Sequence, residues 1–161
     1  LDFKLKQLSH FKYGLLLVVL FSATFIVGYL GFESYQARQW GSASEVNWRD
    51  LGELDYVSGE SSTRLKSLDG KQVKVPGFMV PLEDNLRKVT QFLLVPTPQA
   101  CIHVPPPPPN QMILVEMLDG HEVDVNFGPI WIYGELKIFS INHQYGESSF
   151  VLKGIRIEPY Q

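Results

Sequence analysis

Three kinds of hydrophobic patterning follow one another along the chain. From Tyr13 to Phe32 the sequence YGLLLVVLFSATFIVGYLGF carries no charged residue and is bounded by Lys12 and Glu33. At about 1.5 Å rise per residue such a run covers roughly 30 Å, the thickness of a bilayer's hydrocarbon core, so it predicts a transmembrane helix over 13–32 behind a short cytoplasmic segment, 1–12. A cleaved signal peptide is the competing reading. Its apolar core is usually ~7–15 residues and closes on a small-residue cleavage site, whereas this run is longer and no such site follows. Thr24 and Gly28 lie four apart on one helical face, with Ser22, Ala23 and Gly31 nearby. Small residues at that spacing let another helix approach closely, and any transmembrane helix is also rich in them.

The second regime, 33–47, is polar and reads as a linker. Val46, Trp48 and Leu51 then mark a turn of helix or a docking segment that seats the linker on a domain spanning 48–161, and the stretch from Tyr56 to Ser67 reads as loop.

The third regime alternates with period two. Gln72 to Leu82 places Val73 and Val75, then Phe78, Val80 and Leu82, on one side, and Pro76-Gly77 breaks the phase between them, which indicates a bulge or bend. Strands follow at 89–96, 112–118, 129–139 and 148–158, with a short edge at 122–125. Gly134 in the fourth strand repeats the form of Gly77 in the first. Glycines that let a strand coil and serve two edges suit a small, highly curved sheet. With no helix of three turns in view, the pattern predicts an all-β domain, a five-stranded OB-like Greek-key barrel, with a β-sandwich as the alternative.

Charge orients this arrangement. Lys4, Lys6 and Lys12 precede the apolar run, while Glu33 and Glu45 with only Arg38 between them follow it. The lysine excess puts the N-terminus in the cytoplasm and everything after Phe32 on the far side of the membrane, with membrane lipid as a partner. Beyond Phe32, sixteen Asp and Glu face eleven Lys and Arg, with no basic stripe suited to tracking phosphates, which argues against nucleic acid. The single cysteine, Cys101, excludes an internal disulfide.

The candidate chemistry sits in ACIHVPPPPPNQ, Ala100 to Gln111. Five consecutive prolines, Pro105, Pro106, Pro107, Pro108 and Pro109, donate no N–H and favour a stiff polyproline rod on a surface. One residue separates Cys101 from His103, so an extended backbone puts both on one face. The pair suits Zn²⁺ and needs further ligands, for which Glu83, His121 and His143 are the candidates. The alternatives are a buried Cys101 with a hydrogen-bonded His103, or a thiol activated by His103. No third catalytic member accompanies the pair, so enzyme activity is not expected. The rod is either a ligand for an aromatic-lined groove in a partner or packs across its own domain, pinned at its far end by Asn110 and Gln111. Trp48 is a further candidate for partner or membrane contact, and His121 and His143 read by default as solvated loop histidines.

The segments GFMVPLE (Gly77 to Glu83), FLLVP (Phe92 to Pro96) and ACIHVPPPPPNQ resemble a bacterial family known as domain of unknown function 3299, over roughly Trp48 to Tyr160. The resemblance implies an exported protein of Gram-negative bacteria encoded beside an ABC transporter with a MacB-type permease, in zinc-responsive operons. Its motif residues fall on Cys101, His103, Asn110, Gln111 and Glu83. The implied role is a periplasmic accessory subunit of a MacB-like ABC transport system linked to zinc homeostasis. Thr24, Gly28, Trp48 and the five prolines would then serve partner binding. The alternative is a zinc-binding or zinc-delivery protein using Cys101, His103 and Glu83, with zinc as its cofactor.

Overall fold

Alternating burial is the main determinant of the domain. In a computed structural model, residues 17–31, 43–83, 87–98 and 106–160 are described. Contacts divide the chain into two units, Leu1–Gly41 and Ser42–Gln161. In the first unit a helix, α1, covers 17–31. Its fifteen described residues extend about 22 Å at 1.5 Å per residue. Among the described residues no helix is long and apolar enough to cross a membrane. The transmembrane span expected over 13–32 lies partly outside the described residues, at 13–16 and 32, and α1 takes up the remainder of it.

The second unit contains β1 (Ser44–Glu45), α2 (Trp48–Leu51), α3 (Thr63–Lys66), β2 (Gln72–Pro81), β3 (Lys88–Val89), β4 (Gln91–Val95), β5 (Ile113–Met117), β6 (Val123–Asp124), β7 (Ile130–His143) and β8 (Gly146–Pro159). Strict alternation in β2 and in the first half of β7 turns Val73, Val75, Ile130, Ile132 and Leu136 inward. There they meet Phe92, Phe150 and Leu152, all fully buried, each contributing about 1.5–3 kcal/mol of burial. β4 reads as a continuous apolar run, FLLV, because both its faces are covered: Phe92 and Leu94 join this main core, while Leu93 and Val95 join a second cluster with Met112, Leu114 and Val151.

The main sheet has six strands in the order β1-β2-β4-β5-β8-β7, with an added β2–β7 pairing that closes the bonding into a ring, and β3 pairs separately with β6. β1 on β2 and β5 on β8 are parallel, and the other pairs are antiparallel. The expected five-stranded OB-like barrel and its β-sandwich alternative are thus both corrected to a six-stranded mixed sheet with ring-like bonding, not a barrel. The physical reason lies in the expected bend. β2 pairs with β7 through Gln72–Gly77 and with β4 through Phe78–Pro81, so one strand shared end to end closes the ring, and β1 adds a further parallel strand at Val73 and Lys74. Gly77 sits where the partners change, and a Cβ there would lie 2.8 Å from Leu94 Cγ and from the Val95 carbonyl.

β7 and β8 form a long hairpin with two register shifts. Tyr133 pairs with Arg156 and Gly134 with Gly154, which leaves Ile155 as an extra residue on β8. A Cβ on Gly134 would lie 2.3 Å from the Lys153 carbonyl oxygen, so this bulge demands glycine.

Candidate functional site

The far end of the proline arm is fixed by a dense set of polar contacts. Pro108 is extended, at φ −63° and ψ 156°, and Pro109–Gln111 form a single 3₁₀ turn that delivers the chain into β5. The Gln111 N–H donates to the Pro108 carbonyl at 2.8 Å. The Asn110 side-chain amide donates to the Leu54 carbonyl at 2.8 Å, and the Gln111 side-chain amide donates to the Trp48 carbonyl at 3.2 Å. Asn110 and Gln111 therefore clamp the arm onto α2 and the turn after it.

α2 is itself held in three directions. Asn47 caps it: its side chain accepts from the Asp50 N–H at 3.0 Å, while the Asp50 carboxylate accepts from the Asn47 N–H at 3.3 Å, a complete capping box. The same carboxylate, only 8% exposed, accepts from Arg64 Nη2 of α3 at 3.1 Å. Trp48 donates its indole N–H to the Pro76 carbonyl at 2.6 Å, so the arm's clamp is tied through α2 to the bend of β2. Leu51 is fully buried, and Trp48 packs partly buried against the core. Trp48 thus seats the linker on the domain, and its indole N–H is engaged internally.

Cys101, His103 and Pro105 lie outside the described residues. Glu83 is described, and it holds its own loop: its Oε1 accepts from the Thr90 N–H at 2.6 Å, the Thr90 hydroxyl at 2.8 Å and the Gln91 N–H at 2.9 Å. The Thr90 backbone bond, then the Thr90 hydroxyl and the Gln91 N–H, hold its carboxyl below the ordinary value against the opposing effect of burial. A carboxylate oxygen with three donors is engaged in closing a loop, which competes with the metal role expected for it. Among the described residues no cluster of three or more His, Cys, Asp or Glu is placed to hold a metal ion. Thr24 and Gly28 lie on α1, where the Thr24 hydroxyl donates to the Phe21 carbonyl at 2.8 Å and the space beside Gly28 is open.

The two remaining histidines differ. His121 is exposed at the edge of a cleft, whereas His143, near the hairpin tip, is partly buried. His143 Nδ1 accepts from the Tyr145 N–H at 3.2 Å, its buried Nε2 has no partner, and burial pushes its pKa down. It is therefore a partly buried, hydrogen-bonded imidazole in place of the expected solvated one.

Residues 42–159 match the family described as a protein of unknown function, DUF3299. The chain belongs to the DUF3299 family. A crystal structure of a DUF3299 family protein from Pseudomonas aeruginosa PAO1 is similar at 30% identity and a TM-score of 0.58, covering 74% of this chain and 97% of that one. No curated protein matches the chain. The DUF3299 region begins just before β1 and ends with β8, so it includes the clamp, the Glu83 loop and the hairpin, and leaves α1 outside.

Two parts of this site escaped the sequence reading. Asp50 and Arg64 were not singled out, although Asn47-x-x-Asp50 has the spacing of a capping box and could have flagged the start of α2. Glu83 was singled out as a possible metal ligand, and its service to Thr90 carries no sequence signature at all.

Proposed function

We propose that this DUF3299 protein is a non-enzymatic accessory subunit of a MacB-like ABC transport system linked to zinc homeostasis, working at the periplasmic face of a bacterial inner membrane. The observation that carries the reading is α1. Leu17, Val18, Val19, Leu20, Phe21, Phe25, Ile26, Val27 and Leu30 are all exposed. A helix apolar on every face needs an apolar environment around it, and transmembrane helices of a permease together with lipid would supply one. The face with Thr24 and Gly28 is where a partner helix would approach most closely.

The domain's role in this reading is to present surfaces to the permease. Around the ring β2-β4-β5-β8-β7 the first three strands are neighbours in chain order and the last two are exchanged, with β5 and β8 parallel. We read that connectivity as OB-like, a scaffold suited to binding. It supports a recognition module and says nothing of the partner by itself.

The test is a pull-down of the C-terminally tagged full chain from native membranes in mild detergent, with partner identification and elemental analysis of one eluate. A copurifying ABC permease, lost on Gly28→Leu, is the expected result. Zinc at about one per chain with no permease would replace this reading with the zinc carrier built on Cys101 and His103.

A further inference from the structure

β8 is covered unequally by its neighbours. β7 pairs with it from Gly146 to Pro159, but β5 pairs only with Phe150–Gly154. From Ile155 onward its second edge has no strand partner among the described residues. The ladder fixes which groups face that edge. The Tyr160 N–H donates to the Pro129 carbonyl at 3.0 Å, one step beyond the Ile130–Pro159 pair. In an antiparallel ladder bonded and non-bonded pairs alternate, so Glu158 and Arg156 bond to β7, while Ile157 turns both its N–H and its C=O outward. Pro159 is the next outward position and offers only a carbonyl, which limits any added strand to a few residues.

Across an open cleft of about 830 Å³ stands the segment from His121 to Gly128, facing Ile155, Arg156, Ile157 and Pro159. Val125, Ile155 and Ile157 give the cleft partly buried apolar walls, and Phe127 at its side is 78% exposed. Its charges are unequal. Arg156 is paired with Glu158 at 3.2 Å and Glu122 with Lys88 at 3.8 Å, whereas Asp124 is exposed with no ion pair among the described residues.

We infer that the outer edge of β8 is a strand-addition site for an extended peptide segment of a partner protein, one in which apolar residues alternate with at least one lysine or arginine. Ile157 supplies a donor and an acceptor to the incoming backbone, and Pro159 a second acceptor. Alternate side chains meet Val125, Phe127 and Ile155, and the basic residue meets Asp124. The occupant is a single peptide strand and not another copy of this chain. Each copy's edge is flanked across the cleft by its own 121–128 segment, and two edges flanked in this way obstruct each other.

The probe is a fluorescein-labelled, end-blocked decapeptide in which valine alternates with threonine and lysine, titrated against the full chain and read by fluorescence anisotropy. Saturable binding below about 1 mM is expected, weakened about tenfold or more when alternate backbone amides of the peptide are N-methylated. Ile157→Pro removes the outward N–H together with the isoleucine side chain and should abolish binding with an unchanged circular dichroism spectrum, Ile157→Val serving as the control that trims the wall and keeps the N–H. Asp124→Lys, an exposed change that keeps the test alive if the proline variant fails to fold, should weaken binding about threefold to tenfold, an effect that fades with added salt. No saturable binding at 1 mM, or equal binding of the N-methylated peptide, overturns the inference. So does a dimer of the full chain that Ile157→Pro dissociates, since the edge would then belong to a second copy. None of these readouts involves the permease, so this site and the transport reading stand or fall separately.

Discussion

The clamp at Pro109–Gln111 and the cleft at the end of β8 lie in one domain and treat polar groups in opposite ways. At the clamp the side-chain amides of Asn110 and Gln111, the Trp48 indole and the Asp50 carboxylate all have partners. At the cleft an outward-facing backbone on the β7–β8 pair stands across from Asp124, which has no ion pair among the described residues, and a largely exposed Phe127. Satisfied polar groups at the clamp rigidify a connection that the fold needs. Unsatisfied ones along a sheet edge are tolerated because water covers them until something else does.

If the cleft's shape depends on the β7–β8 bulge, the largest effect should come from disturbing that bulge. Gly134→Ala places a Cβ 2.3 Å from the Lys153 carbonyl oxygen and 2.5 Å from Leu152 Cδ2. Backbone must move, and a loss of about 3 kcal/mol or more in urea unfolding is expected. A loss under about 1 kcal/mol would mean that the hairpin parts easily there, and that Ile155 and Ile157 are not held on a fixed edge.

The clamp and the cleft should then diverge under matched carboxylate changes. Asp50→Ala removes the carboxylate half of the capping box and the partner of the largely exposed Arg64, while Asn47 still caps the residue-50 N–H, for an expected loss of about 1–2 kcal/mol. Asp124→Asn touches an exposed group without an ion pair among the described residues and should change stability by less than about 0.5 kcal/mol. Paired urea titrations check both, and equal losses would erase the distinction between the two regions.

How far the sequence foretold these regions follows from the range of the interactions behind each. Alternation exposed the strands, and Pro76-Gly77 and Gly134 marked the bend and the bulge, because such signals are local to a few residues. Asn110 and Gln111 were expected to pin the arm's end, since their side-chain amides follow a segment with no N–H of its own. The β5–β8 parallel pairing, the short helix at Thr63–Lys66 inside an apparent loop, and the loop-closing role of Glu83 were not legible. Each depends on partners fixed only by the folded topology. The open edge of β8 belongs with them: Ser148 to Glu158 reads as one strand, and nothing along it announces that β5 stops at Gly154. Hydrophobic length foretold an apolar helix, and α1 at 17–31 lies within the expected stretch.

The smallest effects concern pH, and they separate the Glu83 loop from the hairpin tip. Both groups have folded pKa values below their ordinary ones, Glu83 through hydrogen bonds from Thr90 and Gln91 and His143 through burial. A lowered folded pKa means that the unfolded chain binds the proton first, so each contribution is complete above the ordinary value and is lost as pH falls through the folded one. The windows differ: His143 acts as pH drops below 6.5, and Glu83 only as it drops below 4.5. Thermal midpoints from pH 8 to 3 should therefore decline in two stages. His143→Phe should flatten the first stage and leave the second. Glu83→Gln should shrink the second, which Asp55 shares through its bonds from Val57 and Ser58, and cost about 1–2 kcal/mol at neutral pH, where a neutral amide replaces a charged acceptor of three bonds. If His143→Phe leaves the first stage intact, the imidazole is hydrated in solution and the hairpin tip is looser than the strand pair beneath it. The strand pair around Ile157 would be unaffected by that outcome, because its bonds to β7 do not pass through the tip.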